Sequence, residues 1–240
     1  MIFFVGLHQP SDAHHTKRAF ISVNRLSKRV SDFRVNEWIL DSGAFTQVST
    51  HGGFTMSIAE YSTQIKRWRR CGNMQRAVSQ DWMCEPWIVE RTGLSVAEHQ
   101  RRTIERYDAL HDLAGDIVMP VLQGYEVTDY VGHVRQYGDR LSRGMWVGVG
   151  SVCKRNSSPF NVAVILRAVL DVRPDLRLHG FGLKTTALRL ASIRDRLYSA
   201  DSMAWSYRAR LEGRNRNDIQ EALRFVDLIE HQTIQQSLIW

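Results

Sequence analysis

Short runs of β-branched and aromatic residues recur along the chain, each closing on a polar residue or glycine: 2–6, 20–23, 38–41, 77–81, 117–123, 146–150, 177–182 and 197–201. Runs of this length and content predict buried strands. Between several of them the apolar positions take helical spacing. Within 57–70, Ile58, Tyr61, Ile65 and Trp68 fall on one face. Ser95, with Glu98 three residues on, predicts a capping box opening a helix that runs toward Leu113, with Ile104, Tyr107 and Leu110 inward. Segments 161–172 and 185–197 also read as helices. Asn217 or Asp218 is expected to cap a last helix with Ala222, Phe225, Val226 and Ile229 inward.

Strand runs alternating with helices imply a parallel sheet covered by helices. Eight runs in 240 residues predict a compact (β/α)8 barrel, one domain over 1–240. Segment 7–37 has little helical periodicity, so the first two units are expected to be irregular. An open doubly wound sheet is the other architecture, but no glycine-rich dinucleotide loop follows an early strand. Repeats, low-complexity tracts and linkers are absent from the sequence.

Composition narrows the class. Hydrophobic residues at 43% and charged residues at 24% exclude disorder, collagen and coiled coil. No apolar run reaches membrane-span length. The opening apolar stretch has no basic flank, so no secretory signal is expected and a cytoplasmic location is. Cys71, Cys84 and Cys153 are widely spaced, which argues against a disulfide framework or a local zinc motif. Net charge is +7, from 27 Arg and 5 Lys among the 32 basic residues. Arg forks suit phosphate, so nucleic acid is one reading; codon bias with a solvated surface is the other.

The strand ends bring candidate chemistry. Asp41, Gln80-Asp81, Gln123-Gly124, Gly148–Ser151 (148–151), His179–Gly182 (179–182) and Asp201 each close a run. In a barrel these ends converge on one mouth. Taken singly, a strand-end Asp is ordinarily a turn or cap residue, and Gly-x-Gly is a packing device. The ordered set is more specific.

Asp41-Ser42-Gly43-Ala44-Phe45, Gln80-Asp81, Val121-Leu122-Gln123-Gly124, Val147-Gly148-Val149-Gly150-Ser151-Val152, His179-Gly180-Phe181-Gly182 and Ser199-Ala200-Asp201-Ser202 together resemble, in order, the motifs of the tRNA-guanine transglycosylase superfamily. That superfamily is a (β/α)8 barrel. The resemblance implies Asp201 as nucleophile, Asp41 as general acid/base, and a base site of Asp81, Gln123 and the backbone of Val149 and Gly150. Phe45 and His179 are expected to sandwich the purine, although His179 stands where the superfamily has Met. Trp205 is a further stacking candidate. Lys154, Arg155, Lys184, Arg208 and Arg210 follow strand ends and are expected to contact phosphates. Those past Arg210, and Lys66–Arg70 (66–70), read as surface.

The departures refine this. The tRNA enzymes carry three zinc-binding Cys and a His after the nucleophile strand, and no Cys follows Cys153 here. The pattern is most similar to small paralogues that insert 7-deazaguanine bases into DNA, in phages and bacterial modification clusters. DNA, a preQ0-like base and accessory proteins are then the implied partners, with no zinc and no other cofactor. Exchange in tRNA, hydrolysis by an N-glycosylase and a non-catalytic nucleic-acid-binding barrel are the alternatives.

Overall fold

The computed structural model describes residues 1–152 and 158–235. Its strands are β1 (Ile2–Gly6), β2 (Arg18–Ser22), β3 (Glu37–Asp41), β4 (Asn73–Val78), β5 (Val118–Met119), β6 (Val121–Leu122), β7 (Trp146–Val149), β8 (Arg177–Gly180) and β9 (Ser199–Ser202). All pairings between them are parallel, in the order β5-β4-β3-β2-β1-β9-β8-β7-β6. The two end strands are halves of the one expected run at 117–123, split at Pro120, which has no N–H to donate. β5 pairs with β4 and β6 with β7, so the same segment bridges both edges and rounds the sheet into a barrel. The Pro120 carbonyl still accepts from Gly148 N–H at 2.8 Å.

Strand alternation divides the apolar side chains between two cores. Phe4, Phe20, Ile39, Val78, Met119, Val121 and Trp146 form a cluster of their own, filling the lumen. Their neighbours Phe3, Val5, Ile21, Trp38, Leu40, Ala77, Val118, Leu122 and Val147 belong to the larger core, beneath the helices. Period-two geometry requires this separation.

The helices are α1 (Ala44–His51), α2 (Ile58–Trp68), α3 (Pro86–Thr92), α4 (Val96–Ala114), α5 (Val127–Tyr137), α6 (Pro159–Val172), α7 (Thr185–Leu188), α8 (Ala191–Arg194), α9 (Ala204–Leu211) and α10 (Ile219–His231). Ser57 and Glu60 form a full capping box on α2. On α4 only half of the expected box forms. Ser95 accepts from Glu98 N–H, but the Glu98 carboxylate is drawn to Arg101 and Arg102 instead. The helix expected over 185–197 is two short ones. Leu190 between them is extended and bridges to Gln235, whose carbonyl takes the Ala191 N–H that would continue the helix. Asp218 caps α10 through Gln220 N–H. Segment 7–37 holds the regular strand β2, flanked by 3-10 turns at Pro10–His15 and Val23–Arg25 in place of an α-helix. Among the described residues no helix is long and apolar enough to cross a membrane.

Candidate active site

The parity that puts Phe20 and Ile39 in the lumen also puts Ser22 and Asp41, two residues further on, at its mouth. On β9, Ala200 faces the helices, so Ser199 and Asp201 face inward. Asp41 and Asp201 border a cavity of about 190 Å³ also lined by Phe45, Asp81, Gln123 and Gly150 among others. Asp41 and Asp201 also border a second cavity of about 420 Å³ on the β2 side. The two carboxylates therefore stand where the cavities meet.

Asp41 ends β3. Gly43 follows at φ 72°, a left-handed conformation suited to glycine, and starts α1 immediately beyond the carboxylate. Burial pushes the Asp41 carboxyl up to about 6; Asp201 adds to the rise, and hydrogen bonds from Ser22, Gly43 and Ser42 oppose it. Asp81 lies past β4 in a loop whose residues 79–85 are all buried. Burial raises it to about 7, against a hydrogen bond from Gln123 and with Asp41 and Glu85 nearby. A cluster of carboxyls in a closed pocket cannot ionise together at the ordinary value.

The loop is pinned from several sides. Trp82 N–H donates to Thr103 Oγ1 at 2.8 Å, Cys84 N–H to Ser151 Oγ at 3.0 Å, and Gln80 Nε2 to the Met56 carbonyl at 3.0 Å. Gln80 thus serves the scaffold. Tyrosines on surrounding helices reach strand-end carbonyls: Tyr61 to Val78, Tyr130 to Gly150 and Tyr137 to Val121.

Gln123 is fully buried. Its N–H donates to His133 Nδ1 at 2.8 Å and its carbonyl accepts from Gln100 Nε2 at 2.7 Å. Burial lowers His133 to about 4, so its ring is neutral at pH 7 and keeps Nδ1 as an acceptor. The Gln123 amide donates to Asp81 Oδ2 and accepts from Ser151 Oγ at 2.7 Å. Ser151 has φ 55°, and its hydroxyl also lies 2.8 Å from Glu85 Oε2. Left-handed backbone at a non-glycine residue costs about 1–3 kcal/mol and is met at functional sites.

Asp201 is almost completely buried. Its Oδ1 accepts from His179 Nε2 at 3.2 Å and from Gly182 N–H at 3.1 Å. Behind it, His179 Nδ1 meets Ser199 Oγ at 2.8 Å, and Ser199 Oγ takes the Trp146 indole N–H at 2.7 Å. Indole can only donate, so the Ser199 hydroxyl hydrogen is available to Nδ1, and Nε2–H points at the carboxylate.

Several expected positions differ. His179 lines neither cavity: it is fully buried, stacked on Phe20 at 5.7 Å and hydrogen-bonded to Asp201. Its even-odd parity with Leu178 turns it into the lumen below the mouth. Phe20 and Phe181 line the first cavity beside Phe45. Val149 lies in the helix-facing core. Gly150 leaves room for a neighbour, since an added Cβ would lie 2.1 Å from Gln123 Nε2. Its N–H is bound to Leu122 and its carbonyl to Tyr130. Trp205 is buried with its indole N–H on the Gly6 carbonyl, which removes it as a stacking surface.

The expected phosphate contacts fall in different surroundings where they are described. Lys154 and Arg155 lie outside the described residues. Lys184 is exposed before α7. Arg208 pairs with Glu212 at 2.8 Å, and Arg210 lies over the Tyr207 ring at 5.2 Å. Arg214 pairs with Glu221, and Arg70 with Asp32.

Met83, Glu85, Ser151, Phe20 and Phe181 line the site without having been expected there. Phe20 and Phe181 sit within recognised strand runs, and parity of the Phe20 run with Ser22 was a usable signal. Glu85 had none, because loop 79–85 folds inward only through its tertiary hydrogen bonds.

Cys71 and Cys84 are free thiols, and no group of three or more His, Cys, Asp or Glu among the described residues is arranged to hold a metal ion. In comparison with known families, the model described as "DpdA: DeoxyPurine in DNA protein A" matches residues 1–220. No curated protein matches the chain.

Proposed function

From the premise that this chain belongs to the DpdA, DeoxyPurine in DNA protein A, family, we propose that it exchanges guanine in DNA for a 7-deazaguanine base of the preQ0 kind. The family lies within the tRNA-guanine transglycosylase superfamily and implies a role in DNA modification. The observation that carries the reading is the placement of Asp41 and Asp201 on inward strand positions at the junction of two cavities.

In this mechanism an Asp201 carboxylate oxygen attacks C1′ of the target nucleotide. The C1′–N9 bond breaks, its electron pair goes to the departing guanine, and Asp41 delivers the proton. The product is an ester between Asp201 and C1′. A carboxylate suits an oxocarbenium-like centre, as in retaining glycosidases. The incoming base loses its ring N–H proton to Asp41 and attacks C1′, and the ester C–O bond breaks to regenerate Asp201. Two inversions restore the original configuration. With Oδ1 occupied by His179 and Gly182, Oδ2 is the attacking oxygen.

Base selection follows from hydrogen-bond capacity. Asp81 keeps lone pairs for guanine N1–H and N2–H, and Gln123 keeps one amide hydrogen for O6. Phe45 and Phe20 supply apolar faces. The nucleotide must leave the stack to enter.

The test is incubation with guanine-containing DNA or tRNA and isotopically labelled guanine or preQ0, digestion to nucleosides and mass measurement. Label in DNA is expected. Label only in tRNA moves the substrate, abasic product indicates hydrolysis, and absence of product with partner proteins supplied rejects exchange.

A further inference from the structure

The second cavity has a cation at its border, on the side away from the base-reading residues. Arg25 lines it together with Ser22, Asn24 and Met203 and with the shared Asp41 and Asp201. Arg25 is exposed and, among the described residues, has no carboxylate partner. It is nevertheless held. Its Nη2 lies 3.1 Å from His8 Nδ1, and His8 Nε2 lies 2.7 Å from Ser206 Oγ.

Proton accounting fixes that arrangement. A guanidinium only donates, so His8 Nδ1 must be the acceptor and the ring hydrogen must sit on Nε2, donating to Ser206. Burial and the charges of Arg25 and Arg216 lower the His8 pKa from its ordinary value, which favours the neutral ring. The ring also packs edge-on against Trp205 at 5.8 Å. The turn carrying Arg25 is tied down by Leu26 N–H to the Val23 carbonyl at 2.9 Å, and Asn24 Nδ2 reaches the Gly43 carbonyl beside Asp41. Binding through His8 uses part of the fork and leaves the remaining N–H groups for an anion.

We propose that this cavity receives the sugar and adjoining phosphodiester of the nucleotide whose base occupies the first cavity, with Arg25 as the phosphate ligand and His8 as the residue that positions it. The site needs such a cation. A phosphodiester brought up to Asp41 and Asp201 meets like charge, and a guanidinium on the wall of the same cavity offsets that repulsion. The assignment rests on the base-exchange reading for what fills the first cavity. It does not depend on the rim at Arg208 and Arg210, whose groups are engaged by Glu212 and Tyr207.

The experiment uses the full chain and a short single-stranded oligodeoxynucleotide bearing one guanine, followed by fluorescence anisotropy over a salt series, with free guanine binding measured by calorimetry. Arg25→Gln is expected to weaken oligonucleotide binding by about tenfold, the scale of one charge-assisted hydrogen bond, and to reduce the salt slope by about one. Arg25→Lys should keep the slope and lose part of the affinity. His8→Ala should weaken binding less than Arg25→Gln. Free guanine should bind all three variants as it binds the parent, which also reports that they fold. Unchanged affinity and slope in Arg25→Gln overturns the proposal. Equal loss of free guanine and oligonucleotide overturns it too, by making Arg25 structural. An Arg25-dependent slope in a protein that exchanges no base would keep the phosphate site and reject the exchange reading.

Discussion

His179 Nε2 lies 3.2 Å from Asp201 Oδ1, and both groups are buried on the inward face of neighbouring strands. The chain Trp146–Ser199–His179 behind the carboxylate orients the imidazole that bonds its Oδ1. His179→Ala should lower the rate of ester formation by roughly 10–100-fold, since a hydrogen bond to a charged group contributes about 1.5–3 kcal/mol. Rapid-quench trapping of the protein–DNA ester measures it. Asp201→Ala should form no ester at all. Full-rate trapping in either variant would remove the residue from the mechanism.

Asp41, raised to about 6, is suited to both donating and accepting a proton near neutrality. Guanine release needs its acid form, so the single-turnover release rate should fall as pH rises through about 6. Asp41→Asn should flatten that limb and reduce turnover by about 10²–10⁴-fold. Oligonucleotide affinity should change little by comparison. An unaltered pH profile in the variant would assign the limb to another group.

Asp81 gives a stability prediction of the opposite kind from a paired surface carboxylate. Its folded value is raised to about 7, whereas the unfolded chain titrates near 3.9. Between these values the folded state holds the extra proton, so stability falls as pH rises through that window. Asp81→Asn should therefore raise Tm at pH 8 and change it little at pH 4. The expected gain is roughly 2–4 °C for each kcal/mol recovered. Guanine binding should be lost in the same variant. Calorimetric melting at the two pH values decides it.

Gly150 has a steric role that a small substitution exposes. An added methyl would sit 2.1 Å from Gln123 Nε2. Gly150→Ala should push the amide away from Asp81 and Ser151 and weaken guanine binding by at least tenfold, while the barrel still folds because the strand pairing does not use that Cβ. Titration calorimetry with guanine, beside a far-ultraviolet circular dichroism melt, separates the two effects.

The periodic content of the chain was sufficient for the barrel. Eight β-rich runs gave the strands, since a strand buried on both faces has to be nearly all apolar. The break at Pro120 also follows from the residue itself. Alternation within each run decides that Asp41, Ser199 and Asp201 face the lumen, and the ordered strand-end motifs place Asp81 and Gln123 beside them. What followed only from tertiary structure is of another kind. His179 is a partner of Asp201 and lines neither cavity, because a lumen position below the mouth is roofed by the residue on the next strand. Glu85 enters the site because loop 79–85 is drawn inward by Thr103, Ser151 and Met56, which are distant in sequence. Arg208 and Arg210 are engaged by Glu212 and Tyr207 on their own helix and the turn that follows it, while Arg25, in a segment without periodicity, is held at the cavity by His8. Strand parity is a local property of the backbone and can be read from residue order. The partner of a long polar side chain depends on which segments the fold brings together, and no local pattern encodes it.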